Sequence, residues 1–138
     1  MFYNGPMNLP QLLDHMQRSP YFAERITAWH EVPERDARWA DFPATLDPHL
    51  VGALRRLGVE QLYSHQRAAT EAALRGEHVV VVTPTASGKT LCYNLPVLHT
   101  ILRDPAARAL YLFPTKALAQ DQLTGLQGLI SALETDIK

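Results

Sequence analysis

The 138-residue sequence has one cysteine, Cys92. That excludes an intrachain disulfide and gives no thiolate cluster for zinc. It has no excess of charge of either sign, with 13 basic and 14 acidic residues and a formal charge of −1, so no global field draws it to nucleic acid or to an anionic membrane. Any contact with a polyanion must be local. No apolar run approaches membrane-spanning length, and the start, Met1-Phe2-Tyr3-Asn4-Gly5-Pro6, lacks a basic stretch followed by an apolar one. The expected location is the cytoplasm. Repeats and low-complexity tracts are absent as well. What is present is 46% apolar residues, the content of a chain that buries a core.

Composition changes near Tyr63. Residues 1–62 hold Pro6, Pro10, Pro20, Pro33, Pro43 and Pro48 between short helical patterns, which reads as a helical accessory segment. One helix in it is well marked: Asp47 as N-cap, Pro48 at the first helical position, a stripe of Leu50, Val51, Leu54 and Leu57, and Gly58 as its stop. A second helix is expected from Ser64, as cap, to Arg75, ending at Gly76. The unbroken run Val79-Val80-Val81-Val82 then predicts a strand buried on both faces, as in a parallel sheet flanked by helices. After a turn with Pro84 and Gly88 comes a helix with Leu91, Leu95, Leu98 and Leu102 on one face. A second apolar strand, Ala109–Phe113, is closed by Pro114. The last helical pattern starts near Lys116, carries Leu118 and Leu123, and is expected to break at Gly125 or Gly128. Strand, loop, helix, strand, helix is an open α/β layout over residues 63–138.

Between the first strand and its helix, Thr83-Pro84-Thr85-Ala86-Ser87-Gly88-Lys89-Thr90 matches the Walker A pattern, with Thr83 in place of the first glycine. Phosphate binding needs backbone N–H groups converging on one concavity. The loop of Thr85, Ala86, Ser87 and Gly88 entering a helix N-terminus supplies them, together with the positive end of the helix dipole. Gly88 lets the backbone approach closely, Lys89 reaches the β- and γ-phosphates, and the Thr90 hydroxyl ligates Mg²⁺. The competing reading is an ordinary strand-to-helix turn. Walker A alone does not say what the energy of ATP is used for.

The flanks are more specific. Leu62-Tyr63-Ser64-His65-Gln66 resembles the Q motif of superfamily 2 helicases, with Gln66 23 residues before Lys89. A glutamine amide can both donate to and accept from the N6 and N7 edge of adenine, so Gln66 is the candidate for choosing ATP over GTP. Phe113-Pro114-Thr115-Lys116-Ala117-Leu118-Ala119-Gln120-Asp121-Gln122 resembles helicase motif Ia, in which Thr115 and Lys116 offer a hydroxyl and a cation to a DNA phosphate. A plain helix cap with a solvated lysine is the alternative.

Together with Trp29-His30-Glu31-Val32 and Leu91-Cys92-Tyr93-Asn94-Leu95-Pro96, these blocks resemble the bacterial mitomycin-repair, MrfA-like branch of the DEAD/DEAH-box DNA helicases. The resemblance runs from about Trp29 to Lys138. It implies a partial RecA-like P-loop domain, an ATP-dependent 3′ to 5′ DNA translocase acting in repair, and a zinc-binding C-terminal domain not seen in this sequence. It also implies that strands encoded later separate the two strands seen here. No Asp-Glu-x-His box, Ser-Ala-Thr motif or arginine-finger motif follows motif Ia. Of the late acids Asp121, Glu134 and Asp136, none follows an apolar strand as a Walker B acid must. The chain alone is therefore expected to be catalytically inactive. A small-molecule kinase is the first rival, opposed by Gln66 and the motif Ia block; a non-catalytic nucleotide-binding or interaction module from a truncated or split gene is the second. His65 and His78 read as hydrogen-bonding surface or cap residues and not as metal ligands, Trp29 and Trp39 as packing anchors, Cys92 as a small core residue, and Arg55-Arg56 as a solvated helix face.

Overall fold

A computed structural model describes residues 7–33, 36–84 and 86–133. It divides into two compact units, residues 1–36 and 37–138. In the first, α1 (Leu9–Arg18) starts from Asn8, whose side chain accepts from the Gln11 amide while Gln11 returns a bond to the Asn8 amide. Pro20 opens the short α2 (Pro20–Ala23). No residue of either helix is buried. Trp29 is 43% exposed, in irregular chain.

The second unit is built on helices. β1 (Trp39–Ala40) pairs antiparallel with β2 (Leu62–Tyr63) in the register Trp39 to Tyr63 and Ala40 to Leu62. Between them lies α3 (Pro48–Arg56), capped by the Asp47 carboxylate on the His49 amide. α3 ends at Gly58, φ +81°, where the Val59 N–H returns to the Leu54 carbonyl and the Gly58 N–H to that of Arg55. Only glycine takes this left-handed cap without strain. The same closure recurs at Gly76, which ends α4 (Ser64–Leu74). Both stops are where the sequence puts them.

α5 (Lys89–Arg103) and α6 (Lys116–Ala132) complete the unit. Leu46, Leu50, Ala53, Leu54, Leu62, Leu95, Leu98, Leu129 and Leu133 form one core, with Leu91 and Leu102 packed against it. Each leucine driven fully out of water contributes roughly 1.5–3 kcal/mol. The stripes predicted for α3 and α5 thus face one another, except that Leu57 is exposed. Packing does not divide at residue 62, because Leu46, Leu50, Ala53, Leu54 and Leu62 share one core with Leu95, Leu98, Leu129 and Leu133. Among the described residues no helix is long and apolar enough to cross a membrane.

No parallel sheet is present among the described residues, whose only strands are the two-residue β1 and β2. Val79–Val82 and Ala109–Phe113 pair with no strand. They keep a two-residue alternation, with Val80, Val82, Leu110 and Leu112 at 83–90% exposure and Val81, Tyr111 and Phe113 turned inward. Burial on both faces needs neighbouring strands and a second helical layer, and neither is supplied by the described residues. Two capping details differ as well. Ser64 is the first residue of α4, not its cap; Tyr63 is the N-cap, its amide bound by Gln66 Oε1 at 2.8 Å. α6 runs through Gly125 and Gly128 without a break, since Leu126, Leu129 and Ile130 hold its last turns on the core. That contact outweighs the roughly 1 kcal/mol that each interior glycine costs.

Candidate functional site

The Walker A-like loop joins the Val79–Val82 segment to α5 and lines a cleft of about 1300 Å³ with the inner faces of Val79, Val81 and Phe113. Gly88 is the N-cap of α5 at φ +73°. A Cβ there would meet Gln66 Nε2 at 2.5 Å, so both the backbone angle and the neighbour demand glycine. Ala86 is also left-handed, at φ +61°, which costs an alanine about 1–2 kcal/mol. Such a turn of alternating handedness points successive amides into one hollow. The N–H groups of Ser87, Gly88, Lys89 and Thr90 meet no hydrogen-bond acceptor among the described residues. Thr85 lies outside the described residues.

The side chains close the loop on itself. Lys89 Nζ donates to the carbonyls of Thr83 at 2.8 Å and Pro84 at 2.7 Å, with Ser87 Oγ at 3.4 Å. Thr83 Oγ1 and Ser87 Oγ lie 2.6 Å apart. The free amides, the ammonium and the αL glycine are the donor set that a phosphate chain requires. An anion entering the hollow would take over the Lys89 donors from the two carbonyls. Thr90 Oγ1 donates to Gln122 Oε1 on α6 at 3.0 Å.

The loop is also held from behind. Gln66 is 3% exposed; its Oε1 accepts from the Tyr63 amide and its Nε2 donates to the Gly88 carbonyl at 2.8 Å. The amide therefore faces the loop, and reading an adenine edge requires one of these bonds to open. His65, expected to be a hydrogen-bonding surface or cap residue, is half-buried, with its Nε2 2.9 Å from the Ser87 carbonyl. Its ring stacks on Tyr63, centroids 5.7 Å apart, and Tyr63 on Trp39 at 4.6 Å. Trp39 is thus a packing residue, though 55% exposed. Nothing local in the sequence announces this three-ring ladder, because Trp39 meets Tyr63 only through strand pairing.

Thr115 and Lys116 sit at the start of α6, away from these contacts. Thr115 is the N-cap, Oγ1 accepting from the Leu118 amide at 3.2 Å, which leaves its hydroxyl proton available to donate. Lys116 is exposed, with no hydrogen-bond or ion-pair partner among the described residues. Cys92 is buried in α5, and desolvation raises its thiol pKa, so it stays a neutral packing group. Of the described side chains lining the cleft, Glu77 is the one carboxylate, and it is paired with Arg75 at 2.6 Å.

Comparison with known proteins places this arrangement. Residues 63–138 match the DEAD/DEAH box helicase family. The ATP-dependent helicase YprA of Bacillus subtilis is 50% identical over 115 residues, which is 83% of this chain and 15% of the relative. The ATP-dependent helicase HRQ1 of Saccharomyces cerevisiae is 33% identical over 125 residues, 91% of this chain and 11% of the relative. Among solved structures, the DUF1998 helicase MrfA bound to DNA and AMPPNP superposes with a TM-score of 0.83 at 45% identity, over 96% of this chain and 18% of that one. The chain spans less than a fifth of the length of each.

Proposed function

The chain belongs to the DEAD/DEAH box helicase family, and from that premise we propose that it is the nucleotide-binding front of an ATP-dependent DNA helicase motor acting in DNA repair. Its fold is part of a RecA-like domain. The observation that carries the proposal is the hollow at Ala86–Thr90: free backbone amides at a helix N-terminus, an αL glycine, and an ammonium poised over them. In the proposal, Thr85, Ala86, Ser87 and Gly88 offer amides to the phosphates of ATP, Lys89 offsets their charge, and Thr90 holds Mg²⁺. Gln66 and His65 fasten the loop, and Gln66 is the candidate reader of adenine. Bound ATP·Mg²⁺ supplies the phosphoanhydride whose hydrolysis drives a motor. DNA is the proposed partner at Thr115 and Lys116, where an exposed cation and a helix N-terminus suit a backbone phosphate. The bare faces of Val79–Val82 and Ala109–Phe113 fit strands waiting for sheet neighbours such as the longer relatives have room to encode.

The test is nucleotide binding by the 138-residue chain. Lys89→Ala is expected to weaken ATP·Mg²⁺ binding by about 1.5–3 kcal/mol with an unchanged circular dichroism spectrum. Unchanged affinity in a folded variant removes Lys89 from the site. The chain alone is expected to show no ATP turnover above background, since among the described residues the cleft's one carboxylate, Glu77, is paired, and the cleft's Arg108 donates to the Pro105 and Ala107 carbonyls. An arginine finger alone is worth about 10³–10⁵ in rate. Steady turnover abolished by Lys89→Ala would overturn that reading and direct attention to Asp121, Glu134 and Asp136.

A further inference from the structure

Gln122 lies on α6, 32 residues from Thr90 in sequence, and both line the phosphate cleft. Its Oε1 accepts two hydroxyl protons, from Thr90 at 3.0 Å and from Tyr93 at 2.6 Å. Its Nε2 faces the Asp121 carboxylate at 3.4 Å. A carboxylate only accepts, so the amide nitrogen belongs on that side and the oxygen must face the hydroxyls. Tyr93 in turn packs edge-on against Tyr111, whose hydroxyl donates to Asn94 Oδ1 at 3.1 Å. A polar seam thus joins α5, the 109–113 segment and α6 beside the phosphate loop.

We propose that Gln122 is a positioning residue that aims the Thr90 hydroxyl and ties it to α6. This rests on the reading of the loop as an ATP·Mg²⁺ site. A threonine hydroxyl has one proton and two lone pairs. With the proton held by Gln122 Oε1, the lone pairs are left for a cation and the hydroxyl need not reorganise when the metal arrives. The second donor, Tyr93, keeps the Gln122 oxygen in place. Gln122 stands seven residues after Thr115, two helical turns along α6 and about 10 Å away. A rigid helix therefore carries a displacement at Thr90 to the end that bears Thr115 and Lys116. No carboxylate is needed for this alignment.

The experiment compares ATP affinity with magnesium and with EDTA, by calorimetry on the 138-residue chain, for the wild type, Gln122→Met and Gln122→Glu. Methionine keeps the length and loses the acceptor; glutamate keeps an acceptor. The gain in affinity that magnesium gives the wild type is expected to shrink about three- to tenfold in Gln122→Met, with metal-free ATP affinity unchanged, and to persist in Gln122→Glu. An undiminished magnesium gain in a folded Gln122→Met overturns the proposal and leaves the ATP site standing. A wild type that binds no ATP·Mg²⁺ overturns the site itself. Should Gln122→Met fail to fold, amide exchange of the wild type decides. Slower exchange in residues 118–123 on adding ATP with magnesium, and not with ATP alone, supports the link. No magnesium-dependent change there, in a chain that binds ATP·Mg²⁺, rejects it.

Discussion

The leucine stripes of α3, α5 and α6 and the two extended segments are both apolar in sequence, yet they fare oppositely. Leu50, Leu54, Leu95 and Leu98 are excluded from water, whereas Val80, Val82, Leu110 and Leu112 stand almost fully in it. The difference is one of locality. A helix satisfies its own backbone and needs only one stripe covered, and α3, α5 and α6 cover one another. A strand leaves its hydrogen bonds and both faces to neighbours. Apolar character therefore marks a segment for burial without saying that this chain can bury it.

The strongest way to break that comparison is to truncate one residue from each side. Leu95→Ala should cost about 2–5 kcal/mol in urea unfolding, the range for a buried leucine, whereas Leu112→Ser should fall within about 0.5 kcal/mol of wild type. A large loss at Leu112 would mean that the extended segment is already covered in solution, by another copy or another chain.

Gln66 tests the seam between the two regions, since it joins β2 to the loop that leaves Val79–Val82. Gln66→Ala orphans the Tyr63 amide and leaves the Gly88 carbonyl with only the Leu91 N–H, and should lower stability by about 1–3 kcal/mol. If the amide also opens toward adenine, ATP affinity falls more than GTP affinity. Equal losses for the two nucleotides would leave it a structural link only.

The smallest effect concerns the helical side alone. His99 is buried on α5, and its Nδ1 accepts from the Asp47 amide at the start of α3. Burial, and then the nearby Arg103, hold its pKa below the usual 6.5, against a weaker opposing pull from Asp47. The unfolded chain binds the proton more readily, so this contribution is complete above about pH 6.5 and is lost as pH falls toward the folded value. His99→Gln keeps an acceptor without titrating, and should flatten the decline in melting temperature between pH 7.5 and 5.5. An identical decline would put the titration elsewhere.

Short-range signals were legible in the sequence. Asp47 and Pro48 start α3, Gly58 and Gly76 end helices at positive φ, and Gly88 turns into α5 with Lys89 and Thr90 behind it. Each is fixed by the allowed angles and hydrogen bonds of a few consecutive residues, so local order suffices to read it. The order of the Q-like, Walker A and motif Ia blocks likewise carried the family. Only the tertiary structure decided what depends on residues far apart. It stacked Trp39, Tyr63 and His65 behind the loop, turned the Gln66 amide onto Gly88, and brought Gln122 to Thr90. It also kept α6 whole across two glycines and left two strand-like segments bare. Pairing, burial and hydrogen bonding across such distances follow from which surfaces meet, and periodicity within one segment cannot encode the partner.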